Sequence, residues 1–174
     1  MSIDTNLIGK AAINTAYGLR TEGVAIEAYN KMFKVKTVRA GLTIHSKYPW
    51  LCASPDALVL SQNGNINKIL EIKCPISCRN KLIFDEDSKK CNLSYLKYEN
   101  DEIVLKSSHQ YYTQCQIIMF VTGLDKCDLF IYNSIKPLLI CLEKDELFLK
   151  KVILKLEYFY FNYFLPNIIS SSNK

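Results

Sequence analysis

The chain has few of the residues that interrupt or decorate a fold. Of 174 residues only 6 are glycine, 5 proline, 2 histidine and 1 tryptophan. So little glycine and proline excludes a collagen-like or low-complexity chain. Two histidines, and no paired Cys-x-x-Cys motifs, leave little from which to build a structural zinc centre. The 7 cysteines are odd in number. Only Cys74 and Cys78 stand close together, and core thiols are their expected use. No apolar run is long enough to span a bilayer. The greasiest stretch, from Leu154 to Ile169, is broken by Lys155, Glu157, Asn162, Pro166 and Asn167, so no membrane partner is expected. No basic region followed by an apolar core opens the chain, so no secretory signal is legible. The expectation is an intracellular protein, nuclear or cytoplasmic, with reduced thiols.

What is present is a globular composition, 49% hydrophobic and 22% charged, with the length of one domain. The net charge of +5 is unevenly spread: residues 1–81 carry 11 basic and 5 acidic side chains, and residues 82–174 carry 11 and 12. A basic half attracts polyanions, although a solvated basic face would read the same way.

Periodicity predicts helix over Ala11 to Phe33, strands over Val35 to Ile44, Leu51 to Leu60 (bent at Pro55) and Ile66 to Lys73, and a hairpin turn at residues 62–65. Residues 84–101 are polar and read as a surface excursion. A helix is expected from Ser107 or Ser108 to Gly123, then strands over Cys127 to Tyr132 and Pro137 to Leu142. A long last helix, Asp145 to Phe164, is expected to stop before Pro166. The order predicts an α/β domain with a central mixed sheet flanked by helices.

The informative stretch is Ser54-Pro55-Asp56, a hairpin, then Glu71-Ile72-Lys73. Strand residues two apart share a face, so Glu71 and Lys73 project together, with Ile72 behind them. The hairpin can bring Asp56 alongside. Two carboxylates there suit Mg²⁺ or Mn²⁺, and the Ile72 backbone carbonyl is a further oxygen. Lys73 can offset developing negative charge. A metal-bound water of lowered pKa is what phosphodiester hydrolysis requires. Charged groups inside the apolar run Ile69, Leu70, Ile72 are costly without a purpose. Glu22, on the first helix, can complete the site. The competing reading is a surface strand with an ordinary Glu–Lys pair. Tyr111 and Tyr112 can flank nucleic acid or pack in a helix core. His109 can contact phosphate or cap a helix, and His45 has no assigned role.

These strings, with Leu70-Glu71-Ile72-Lys73-Cys74-Pro75 and His109-Gln110-Tyr111-Tyr112-Thr113-Gln114-Cys115-Gln116, resemble the YqaJ-type viral recombinase (phage lambda exonuclease) family of the PD-(D/E)xK nuclease superfamily. Tyr48-Pro49-Trp50-Leu51 and Val121-Thr122-Gly123-Leu124 are similar to it too, and the resemblance covers roughly residues 17–165. It implies a restriction-endonuclease-like core in a single nuclease domain. It implies a 5′→3′ exonuclease on double-stranded DNA ends, linked to recombination, using one or two Mg²⁺ or Mn²⁺ ions. Asp56 and Glu71 match the metal-binding carboxylates, Lys73 the catalytic lysine, and Glu22 the helical acidic residue, with Glu27 its rival. Gln114 matches a glutamine that buttresses the site, with Gln116 second. Arg79 stands where the family contacts phosphate, and Ser54 lies in the matching DNA-facing motif. A homo-oligomer and a single-strand annealing partner are implied by the family alone. Two departures are visible. Ala57 replaces the usual glycine after the aspartate. The residues before Tyr17 show no counterpart of the family's additional N-terminal helical segment, which helps bind the DNA 5′ end. Alternatives of other kinds are a catalytically weak DNA-binding module of the same fold, and an endonuclease.

Overall fold

The computed structural model describes residues 10–172. The N-terminal stretch before Lys10, where no family-like segment was legible, lies outside them. Helix α1 (Lys10–Phe33) buries Ala25, Ile26 and Tyr29, the spacing of an apolar stripe. It runs unbroken through Thr21, Glu22 and Gly23. It stops where Lys34 takes a φ of 54°, a left-handed helix end. The Val35 N–H then reaches back to the Asn30 carbonyl at 3.2 Å.

The next five strands are β1 (Lys36–Val38), β2 (Thr43–Ile44), β3 (Cys52–Ala53), β4 (Ala57–Leu60) and β5 (Ile66–Lys73). Two expected strands are therefore each split. Between β1 and β2 the sequence Arg39-Ala40-Gly41-Leu42 offers no alternating apolar face, and β2 leaves to pair with β3 instead of β4. Between β3 and β4, Pro55 has no N–H for a ladder. The β4–β5 hairpin closes as expected, with the Ser61 N–H on the Asn65 carbonyl at 2.8 Å and Gly64 at φ 83°.

Residues 84–101 do more than skirt the surface. With the four residues that follow, they form two hairpins, β6 (Phe84–Asp85) with β7 (Lys90–Cys91), and β8 (Leu96–Glu99) with β9 (Glu102–Leu105). Asn100 and Asp101 both have positive φ, 52° and 62°, which is the two-residue turn that suits a twisted hairpin. Leu93, Tyr95, Leu96 and Leu105 are buried in the main core. The tail of this excursion is thus a core element with a polar outer side.

Helix α2 (Gln110–Thr122) starts two residues later than expected. His109 is its N-cap, and its Nδ1 accepts the Tyr111 N–H. Gly123, at φ 73°, ends it. Strands β10 (Lys126–Ile131) and β11 (Leu138–Glu143) complete a five-stranded sheet of order β1-β4-β5-β10-β11. β5 and β10 are parallel and the other pairs antiparallel. Parallel neighbours need a crossover, which α2 supplies. The result is the α/β domain with a central mixed sheet flanked by helices that the residue pattern implied.

Alternation along β5 divides the core. Ile69 packs in the cluster that holds Cys115, Ile118 and Met119 of α2. Leu70 and Ile72 pack with Ala25, Ile26 and Tyr29 of α1. Each buried leucine, isoleucine or methionine among them contributes about 1.5–3 kcal/mol. On the α1 side, Asp128 of β10 is 2% exposed. It accepts the Tyr29 hydroxyl and pairs with Lys68 Nζ at 2.5 Å. Burial, then the bond to Asp128, pushes the Tyr29 phenol upward.

Helix α3 (Glu146–Phe159) is capped by Asp145, whose carboxylate accepts the Phe148 N–H at 2.9 Å. It does not end before Pro166. A wide π-type turn, Tyr160–Phe164, leads into α4 (Leu165–Ser172). Proline cannot donate to the carbonyl four residues back and its ring crowds that position. The wider turn absorbs this, and the helix continues. Among the described residues no helix is long and apolar enough to cross a membrane.

Replacing Asp128 by alanine leaves Lys68 and the Tyr29 hydroxyl without their shared acceptor. The expected loss is about 3 kcal/mol of unfolding free energy, read from urea denaturation. Leu154→Ala, at an exposed position, serves as the near-neutral reference.

Candidate active site

Glu71 lies near the carboxyl end of β5 and is 1% exposed. It shares the α2-facing side of that strand with Lys73. Lys73 Nζ donates to Glu71 Oε1 at 2.7 Å, and Gln114 Nε2 of α2 donates to the same oxygen at 2.5 Å. The other oxygen, Oε2, is buried with no hydrogen-bond partner.

Asp56 enters from the break between β3 and β4. Its Oδ2 accepts the Ile72 N–H at 2.6 Å, doing for the ladder what the main chain at Pro55 cannot. The register Ala57 with Leu70, carried two residues on, sets Pro55 opposite Ile72. The Ile72 carbonyl points to the same side as its N–H, where proline has no donor to offer. Ala57 is fully buried and is not among the residues with positive φ. The missing glycine therefore imposes no strain here.

Glu22 comes from α1, on the other side of the sheet. It lines one cavity of about 660 Å³ together with Asp56, Glu71, Ile72, Lys73 and Gln114. Burial raises all three carboxyl groups. Burial, then the Asp56 charge, raises Glu22. Burial raises Asp56 against the pull of the Ile72 N–H and Lys73. Burial pushes Glu71 up to about 7, with Lys73 opposing and Asp56 reinforcing. Burial works against the charge of Lys73, yet the adjoining Glu71 carboxylate holds its ammonium above the usual range.

A buried carboxylate oxygen without a donor, beside two further acids and an unclaimed carbonyl, is an oxygen-rich set suited to a hard divalent cation. The described residues contain no group of three or more His, Cys, Asp or Glu side chains already gathered at one point. The groups that could hold such an ion are Asp56, Glu71 and the Ile72 carbonyl, with Glu22 on the cavity wall.

The remaining candidates divide. Tyr111 lines the cavity, with Lys73 Nζ 4.7 Å from its ring centre. His109 caps α2 and packs on Tyr95 and Tyr111. Ser54 and Arg79 are exposed, and the Arg79 guanidinium lies 5.9 Å over the Tyr17 ring. Gln116 must be corrected. It is fully buried, donates to the Glu143 carbonyl at 2.9 Å and accepts the Asp145 N–H at 2.8 Å. It ties α2 to the start of α3, with both its amide atoms engaged there. Glu27 is exposed on α1 and does not line the cavity. Tyr112 packs on Phe148 and donates to Asp145 Oδ2 at 2.9 Å. His45 stacks on Phe120 with ring centres 4.6 Å apart. All seven thiols are free. The sequence reading missed the wall that Asn92, Ser94 and Tyr95 add to the cavity. The two-residue Asn100-Asp101 turn between apolar runs was the available signal.

The model of the YqaJ-like viral recombinase domain matches residues 3–125, a stretch that contains Glu22, Asp56, Glu71, Lys73 and Gln114. The chain belongs to this family. The match starts well before Tyr17, so family-like sequence reaches further towards the N-terminus than the strings above showed. It stops at residue 125, short of 165. No curated protein sequence matches the chain. Among solved structures, the YqaJ-like fold here is similar to the alkaline exonuclease of Laribacter hongkongensis. That crystal structure shares 20% identity at a TM-score of 0.63, over 88% of this chain and 72% of the exonuclease. The same exonuclease in complex with dAMP matches at 23% identity and a TM-score of 0.55, over 88% and 74%.

Metal-free protein should show a pH signature of Glu71. Burial pushes the folded Glu71 carboxyl up to about 7, against about 4.3 for an unperturbed glutamate. The folded state then holds the extra proton between those values, so stability falls as pH rises through that window. Glu71→Gln removes this component. Urea denaturation in EDTA at pH 5 and pH 8 should show the wild type losing about 3 kcal/mol more than the variant.

Proposed function

We propose that this chain is a single nuclease domain that hydrolyses phosphodiester bonds of double-stranded DNA, 5′→3′ from an end, with Mg²⁺ or Mn²⁺. The observation that carries the reading is the buried, unpartnered Glu71 Oε2 in a cavity shared with Asp56, Glu22 and Lys73. A structural Glu–Lys pair would leave no carboxylate oxygen buried and unsatisfied beside two further acids. The neighbouring structures support the activity class, since each is an alkaline exonuclease.

In this reading Asp56, Glu71 and the Ile72 carbonyl hold one or two ions, and Glu22 assists. A bound divalent ion would supply an acidified water and screen the phosphate charge. The chain's own groups do the rest. Gln114 and Lys73 both donate to Glu71 Oε1, which fixes the rotamer and directs Oε2 into the site. The Ile72 N–H does the same for Asp56. The Lys73 ammonium orients the attacking water and faces the charge that develops on the phosphoryl oxygens. Ser54 and Arg79 are the proposed phosphate contacts outside the cavity. The basic first half of the chain gives the strand its general attraction.

The test is digestion of end-labelled linear duplex against closed circular DNA, with Mg²⁺ or with EDTA, by wild type, Glu71→Ala and Lys73→Ala. Loss of the linear substrate alone, metal-dependent and slowed about a thousandfold by either substitution, is the expected result. A cleaved circle would move the assignment to an endonuclease. Salt-sensitive binding with no cleavage of either substrate would leave a DNA-binding module of nuclease fold.

A further inference from the structure

The lysine of this site sits on a four-carbon stem with many rotamers, yet its ammonium is only useful at one place. Two groups hold it there. One is Glu71 Oε1 at 2.7 Å. The other is the face of Tyr111, whose ring centre is 4.7 Å from Nζ, inside the range of a cation–π contact.

The ring is itself held. The His109 ring meets it at 71° with centres 4.7 Å apart, and the Tyr95 ring at 76° and 5.0 Å. These are the edge contacts that aromatic quadrupoles favour. His109 Nδ1 takes the Tyr111 N–H at 3.2 Å, which locks the first turn of α2. Tyr95 is 8% exposed, anchored by the β8–β9 hairpin. Its backbone carbonyl accepts the Lys106 N–H at 2.9 Å.

The two holders of Lys73 differ in one respect. A divalent cation bound by Glu71 competes with the ammonium for that carboxylate, whereas an aromatic face takes no part in the competition. We infer that Tyr111 is a positioning residue for Lys73, fixing the ammonium through its ring face, and that its hydroxyl is dispensable. This rests on the proposed nuclease role of Lys73. It replaces direct DNA contact as the work of Tyr111.

The experiment separates ring face from hydroxyl and from bulk. Tyr111→Phe should keep kcat within about twofold, and Tyr111→Leu should lower it about tenfold with KM for linear duplex DNA unchanged. Placing mono-, di- and trifluorophenylalanine at position 111 withdraws charge from the ring face at nearly constant shape. Each added fluorine should lower kcat further. A second readout needs neither metal nor DNA: the Lys73 ε-methylene proton shifts, assigned with Lys73→Arg. They should lie upfield, from the ring current, in wild type and Tyr111→Phe, and return to ordinary lysine values in Tyr111→Leu.

A fall in activity with Tyr111→Phe as deep as with Tyr111→Leu would overturn the inference in favour of a hydroxyl contact to substrate. A flat fluorination series would overturn it too, leaving the ring as packing. Absence of cleavage by the wild type would sink the nuclease reading. The proton shifts would still decide whether the ring holds Lys73.

Discussion

Burial of the Glu71 carboxylate is the constraint around which the rest of the site is arranged. A charge that deep in the central strand is costly unless it is paired and hydrogen-bonded. Lys73 and Gln114 satisfy one oxygen and leave the other buried without a donor. The neighbouring acids raise the cost, since Asp56 and Glu22 both act on Glu71 through space. Such an arrangement concentrates negative charge where little water can screen it. Perturbed carboxylates gathered in a cleft are more often functional than structural for that reason.

The sheet decides which side chains can share the cavity. Glu22 arrives from the helix packed on one face and Gln114 from the helix on the other, and both line the cavity at the carboxyl end of β5. Asp56 reaches the same point because β4 begins one residue after it. Pro55 has two consequences at once. It ends the short β3–β4 alignment, and it leaves the Ile72 carbonyl without a ladder donor. A single residue with no N–H thus shapes both the backbone break and the oxygen set.

Much of this could be read from the residues, and the remainder has identifiable reasons for staying hidden. The i, i+2 relation of Glu71 and Lys73 and the hairpin to Asp56 depend on local geometry, which sequence reports well. Gln114 and Gln116 lie two apart on one helix, and spacing alone could not say which faced the sheet end. Tertiary packing chose, sending Gln116 to clamp Asp145 and Glu143. The split strands were hidden because short apolar runs do not say which sheet they join. The late end of the last helix reflects a wide turn that local propensity does not encode. The Tyr95 wall was obscured by the polar residues surrounding it.

The parallel pairing of β5 with β10 has a kinetic consequence. The segment Cys127–Ile131 that lies against Ile69–Lys73 is separated from it by two hairpins and a helix, so this pairing has high contact order and forms slowly. Until it forms, Glu71 has no dry strand to sit in, and its acidity is that of an ordinary surface glutamate. A nascent chain therefore carries every acid of the site well before it has the site's electrostatics. The cavity takes its final shape only once the stretch through Ile131 has left the ribosome and docked on β5.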